Sequence, residues 1–236
     1  MTHGRQQGAI WHPSPNVNAR RGGALPDIVV LHHTAMASAE VALQRLCDPE
    51  PPECLSPVSC HYLIGEAGQI WQMVDEADRG WHAGVGQWGD VTDVNSRSVG
   101  IELANSGSVP FAEAQMARLE WLLPQILQRW DIPAERVIGH SDMAPLRKFD
   151  PGARFDWRRL ALRGLSVWPD ETAEHEADFF ESLQRFGYPE LAEDAPEDGL
   201  LRAFRLRFRP WAEGPENPQD RIVAGDLARR FPVRAG

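Results

Sequence analysis

The sequence predicts an α/β fold over residues 1–168 and a small all-α domain over residues 169–236. Three observations carry that expectation. Short, continuous apolar runs, "DIVVL", "SVGIEL" and "RVIG", read as buried strands. Between them lie stretches whose apolar residues recur at helical spacing. Beyond residues 165–171 no strand-like run is evident, and helical stretches alternate with turns rich in Pro, Gly, Asp and Glu.

"DIVVLHH" (27–33) reads as a central strand whose polar end opens onto a site. "SAEVALQRLC" begins with Ser38 and carries Glu40 early, so a helix follows, and "DPEPPECLSP" is a Pro-rich loop. "SCHYLIGEAGQIWQMV" is two apolar stretches around a glycine-containing turn, which predicts a β-hairpin. "GWHAGVGQWGDVTDVNSRS" is a long irregular segment of the kind that tends to carry function. "SVGIELAN" is another buried strand, and "FAEAQMARLEWLLPQILQRW" a long amphipathic helix with a kink expected at Pro124. "RVIGH" is a strand leading into the loop "GHSDMAPLRKFDPG" (139–152). In the tail, "ETAEHEADFFESLQRFGYP" reads as a helix stopped at Gly187; "GLLRAFRLRFRPW" and "NPQDRIVAGDLARRF" are two more.

A chain of 236 residues can bury a substantial core. The net charge of −10 argues against a nucleic-acid polyanion as the main partner. No run approaches the ~18 apolar residues of a membrane span. The first twenty residues contain no apolar h-region, so no secretory signal is expected. Three cysteines, an odd number, fit a reducing compartment. Free thiols are therefore expected, although Cys47 and Cys54 could pair in an oxidising space. Cytoplasm is the favoured location, periplasm the alternative, and a monomer the favoured oligomeric state.

Three strands end in, or contain, a reactive side chain: His32, Glu102 and His140. Strand ends along one rim of a sheet are where α/β proteins collect their sites. Pro151 biases Asp150 towards extended backbone, so Lys148 and Asp150, two apart, should share a face. Two histidines and a carboxylate are a common ligand set for a catalytic zinc. A nearby carboxylate can move protons and a lysine can stabilise an oxyanion. From the residues alone, histidines that merely satisfy core hydrogen bonds are the favoured reading.

The segments "VVLHHTAM", "SCHYLIGEAGQIWQMV", "GWHAG", "NSRSVGIEL" and "GHSDMAPLRKFDPG" occur in the order found in zinc-dependent N-acetylmuramoyl-L-alanine amidases. Over residues 12–165 the chain resembles the AmpD-like, type 2 branch, related to peptidoglycan recognition proteins. The tail is similar, more loosely, to a small peptidoglycan-binding-type domain. The resemblance implies a mixed central β-sheet flanked by helices, one Zn²⁺ per chain, and peptidoglycan fragments or muropeptides as partners. It implies hydrolysis of the amide between the lactyl group of N-acetylmuramic acid and L-alanine. His32, His140 and Asp150 match the metal ligands, Glu102 the general base and Lys148 the oxyanion stabiliser. A non-catalytic peptidoglycan recognition module is the alternative.

Other residues admit two readings. His61 could line the cleft or make a structural hydrogen bond, and Trp81, His82 and Asn95 could line a peptide groove or pack the loop. His33 is read as a core or hydrogen-bonding residue and Cys60 as small apolar packing. Asp142 is expected to fix its turn by an Asx-type bond, and Arg147 to be solvated or to face a helix dipole. The stripe Phe204, Arg205, Phe208, Arg209 is expected to be core on one side and surface on the other.

Overall fold

The structure, a computed structural model, describes residues 5–170, 172–192, 196 and 198–233. The chain opens with two short strands, β1 (Ile10–Trp11) and β2 (Val17–Ala19), before the buried strand β3 (Ile28–His33), which lies second from one edge of the sheet. Helix α1 (Ala39–Leu46) starts where the Ser38 side chain accepts from Val41 N, 3.4 Å away. Strands β4 (Tyr62–Ile64) and β5 (Ile70–Gln72) form the expected antiparallel hairpin. Next come β6 (Asp78–Gly80), a single helical turn α2 (Val94–Arg97) and strand β7 (Ser98–Leu103). Helix α3 (Glu113–Trp130) is continuous through Pro124, and β8 (Val137–Gly139) follows.

Strands β1-β5-β4-β7-β3-β8 lie side by side in one sheet; β2 and β6 form a separate antiparallel pair. Only β4 and β5 run antiparallel within the large sheet, so it is mixed. The buried faces of β3 and β7 explain why their sequences are unbroken apolar runs rather than alternating ones. Helix α3 covers one face with Met116, Leu119, Leu122, Leu123 and Ile126 packed against Val29, Leu31 and Ile101.

The loop after β8 does not begin as irregular backbone. His140–Met143 is a helical turn, α4, and α5 (Trp157–Leu162) follows with Asp156 as its cap. The tail holds α6 (Phe179–Phe186), α7 (Asp198–Phe208) and α8 (Pro218–Arg230). Helix α6 is shorter than its sequence suggests: residues 174–178 are non-helical, and Glu171 lies outside the described residues. Gly187 stops it at φ +132°, a conformation that L side chains rarely adopt.

The tail covers the other face of the sheet. Phe179, Leu183, Phe186, Phe204, Phe208 and Leu227 share one apolar cluster with Ile28, Val30 and Ile138. Phe204 and Phe208 are core, as their spacing suggests, but Arg205 is buried too, at 7% exposure, held by Asp220. Arg209 joins the same carboxylate at 2.5 Å. Among the described residues, no helix is long and apolar enough to cross a membrane.

Candidate active site

The parallel register of β3 against β7 sets His32 opposite Glu102. In-register neighbours on adjacent strands point to the same face, ~4.8 Å apart. β8 lies on the other side of β3 and hands the chain directly to His140 in α4. Asp150 returns ten residues later, where its carbonyl accepts from Ser141 N at 2.9 Å and closes the loop. His32, Glu102, His140, Lys148 and Asp150 thus line one cleft. Phe149, between the last two, is 51% exposed, the alternation expected of extended backbone.

Three atoms converge there. His32 Nδ1 lies 2.9 Å from His140 Nδ1 and 3.0 Å from Asp150 Oδ2; His140 Nδ1 lies 3.1 Å from the same oxygen. Four ligands at ~2.0–2.1 Å around a tetrahedral zinc stand ~3.3 Å apart, close to this triangle. The orientation of each ring also suits a cation. His140 Nε2 faces the Ala83 carbonyl at 2.8 Å, which can only accept, so the proton sits on Nε2 and Nδ1 is bare. His32 Nε2 is engaged by His82 Nδ1 at 3.0 Å, again leaving Nδ1 for the centre. This two-histidine, one-carboxylate set fits a zinc ion.

Burial lowers the His32 pKa to about 4, with His140 acting in the same direction and Asp150 opposing. Burial also raises the Asp150 carboxyl, but the charge and hydrogen bonds of His140 and His32 outweigh it and hold the group well below the usual carboxylate range. Glu102 behaves oppositely. Burial, reinforced by Asp150 and opposed by Lys148, pushes its pKa up to about 8. Its Oε2 is buried with no hydrogen-bond partner. A carboxyl poised near neutrality in a cleft can both take and return a proton.

The residues around these five sort differently from their sequence expectations. His61 is fully buried beneath the cleft; its Nδ1 accepts from Gly100 N and its Nε2 faces Asp78 O. The structural reading of His61 therefore replaces the cleft-lining one. Asn95 is buried as well, its Oδ1 accepting from His82 N and Ala83 N, so it pins a turn and is not among the residues of the cleft. Trp81 donates to Asn18 Oδ1 and is not among the residues of the cleft. His82 does line it. His33 turns aside to Pro151 O at 3.2 Å, the hydrogen-bonding role expected.

Two loop residues do more than anticipated. Arg147 is not simply solvated: it donates to the carbonyls of Ala83 and Val85, bracing the turn that carries His82. Asp142 does cap its turn, accepting from Gly139 N at 2.7 Å, but it also receives Arg207 at 2.7 Å and Tyr188 at 2.5 Å. Both partners come from the tail. Arg207 and Tyr188 carried no signal in local spacing, since each acts through a contact far along the chain. Cys47, Cys54 and Cys60 are free, and Cys60 is buried as small apolar packing.

Comparison with known proteins agrees with this geometry. The family model for N-acetylmuramoyl-L-alanine amidase, Amidase_2, matches residues 22–153. The amidase AmiD of Escherichia coli is 32% identical over 86% of this chain and 83% of its own length. The 1,6-anhydro-N-acetylmuramyl-L-alanine amidase AmpD of Escherichia coli is 32% identical over 66% of this chain and 91% of its own. Among solved structures, AmiD in complex with anhydro-N-acetylmuramic acid-L-Ala-D-γ-Glu-L-Lys superposes with a TM-score of 0.78 at 31% identity, covering 87% of this chain and 90% of that one. AmpDh3 from Pseudomonas aeruginosa gives 0.77 at 30% identity, covering 88% and 93%. These two coverages exceed what residues 1–168 could supply, so the likeness extends into the tail. The chain belongs to the Amidase_2 family of N-acetylmuramoyl-L-alanine amidases.

Proposed function

We propose that the protein is a zinc amidase that hydrolyses the bond between the lactyl carbonyl of N-acetylmuramic acid and L-alanine in peptidoglycan stem peptides or anhydro-muropeptides. The observation that carries this reading is the triangle of His32 Nδ1, His140 Nδ1 and Asp150 Oδ2, with Glu102 one strand away. His32, His140 and Asp150 would hold the metal. A zinc ion bound there supplies Lewis acidity, activating water and polarising the scissile carbonyl.

The chain's own groups do the rest. Glu102 takes the proton of the attacking water and returns it to the leaving amine of L-alanine, which departs as a free amino terminus. Its elevated pKa suits both transfers. Lys148 Nζ donates to the oxygen that gains negative charge. The buried flank of the cleft keeps bulk water from competing for these groups.

The solved complexes of AmiD and AmpDh3 with anhydromuramic peptides support this substrate class. The test is release of L-alanine amino termini from a muramyl peptide. Glu102→Gln is expected to keep one zinc per chain and lose at least ~10²-fold in kcat, the scale of general-base loss. Asp150→Ala is expected to lose the zinc as well. Full activity in Glu102→Gln overturns the general-base role; a wild-type chain that binds no zinc overturns the metal reading. Intact sacculi assayed beside soluble 1,6-anhydro-muropeptides separate polymer from fragment as the physiological substrate.

A further inference from the structure

Both proposed histidine ligands use Nδ1, so both must carry their proton on Nε2. His140 has an irreversible partner for that proton, the Ala83 carbonyl at 2.8 Å. His32 does not. Its Nε2 meets another imidazole nitrogen, His82 Nδ1, at 3.0 Å, and either ring could be the donor. With the wrong polarity His32 would present an N–H, not a lone pair, to the cluster.

The direction is set two steps away. Ser98 Oγ lies 2.5 Å from the Val94 carbonyl, which can only accept, so the hydroxyl hydrogen points there. Only lone pairs of Ser98 Oγ remain for His82 Nε2, 3.3 Å away, so His82 Nε2 carries the proton. In the neutral ring His82 Nδ1 is then an acceptor, His32 Nε2 donates to it, and His32 Nδ1 is left bare. The chain of polarity runs one way only.

The backbone is arranged to hold this relay in place. Asn95 Oδ1 accepts from the backbone N–H of His82 at 3.0 Å, fixing where the ring starts. The ring lies flat against β7 at Gly100, where a Cβ would sit 2.4 Å from His82 Cγ. Only glycine leaves room for it. Ser98 is two residues earlier on the same strand, which places its hydroxyl on the same face as Gly100.

We propose that His82 and Ser98 are positioning residues that lock His32 in its Nε2–H tautomer and so present Nδ1 to zinc. This inference rests on the zinc reading above. Partners of metal-bound histidines commonly govern affinity by ~10–100-fold. The measurement is the zinc dissociation constant of the full chain, by competition with a chromophoric chelator, with folding of each variant checked by its thermal transition.

His82→Phe, which fills the space but cannot accept, should weaken zinc by ~10–100-fold. His82→Asn, which restores an acceptor oxygen, should recover part of that loss. Ser98→Ala, the mildest change, should weaken zinc several-fold, and imidazole ¹⁵N spectra of the zinc-free protein should show His32 losing its single tautomer. Folded His82→Phe and Ser98→Ala proteins that bind zinc within twofold of wild type would overturn the relay while leaving the amidase reading intact. A wild-type chain without zinc affinity would overturn both.

Discussion

Two charged clusters share the loop from Gly139 to Gly152, and they are built on opposite plans. Around Asp142 the carboxylate is fully matched: both oxygens are used, by Gly139 N, Tyr188 OH and the Arg207 guanidinium. Arg207 is 2% exposed and lies over the ring of Trp157 at 4.4 Å. Around Asp150 the lone pairs of two imidazoles and a carboxylate point at one another. The first carboxylate is matched within the protein; the second sits among acceptors that could hold a cation. The lesson is that buried charge alone does not mark a site. Unmatched acceptors do.

The largest expected effect tests the closed cluster. Asp142→Ala leaves Arg207 buried without its counter-charge and should cost about 3–5 kcal/mol in urea unfolding, equally with and without chelator. Asp150→Ala should act on the open cluster instead, erasing the difference between zinc-loaded and chelated protein. In the wild type that difference is about 2.7 kcal/mol at zinc a hundredfold above Kd. Equal zinc dependence in the two variants would break the comparison.

His61 offers a histidine of the closed kind, with both nitrogens matched. Burial, aided by Arg20 and opposed by the hydrogen bond to Asp78, lowers its pKa from 6.5 to about 3. Between those values the unfolded chain binds the extra proton, so stability present above pH 6.5 is lost as pH falls towards 3. From pH 7 to 5 this amounts to about 2 kcal/mol. His61→Asn should be less stable at pH 7 yet lose about that much less on acidification, as read from urea midpoints at the two pH values. An unchanged slope would count against the assignment.

The smallest effect sharpens the boundary between the clusters. Tyr188→Phe removes one hydrogen bond to Asp142 and should cost about 1.5 kcal/mol, with zinc affinity unchanged. A measurable fall in affinity would show that the closed cluster tunes the open one.

The site was legible in the sequence because its members stand at strand ends, where short apolar runs betray their position. His32, Glu102 and His140 each follow or sit in such a run. What surrounds them was not legible. Asp142 meets Arg207 across 65 residues, and Arg207 sits between Leu206 and Phe208 in a stretch whose arginines read as surface. The turn at His140–Met143 is too short to show a helical period. Asn95 and His61 looked like groove residues because their polarity is visible in sequence, whereas the backbone groups that satisfy them are not.

The pairing of His32 with Glu102 in the β3–β7 register has a mechanical consequence. A shift of one residue between these strands would send Glu102 to the opposite side of the sheet. That shift would also turn Val99, Ile101 and Leu103, each fully buried, against their packing. The distance between Glu102 and the cluster is therefore gauged by a pair of buried neighbouring strands. The spacing of this candidate site is a property of the hydrophobic interior, and it can drift only if the packing behind it comes apart.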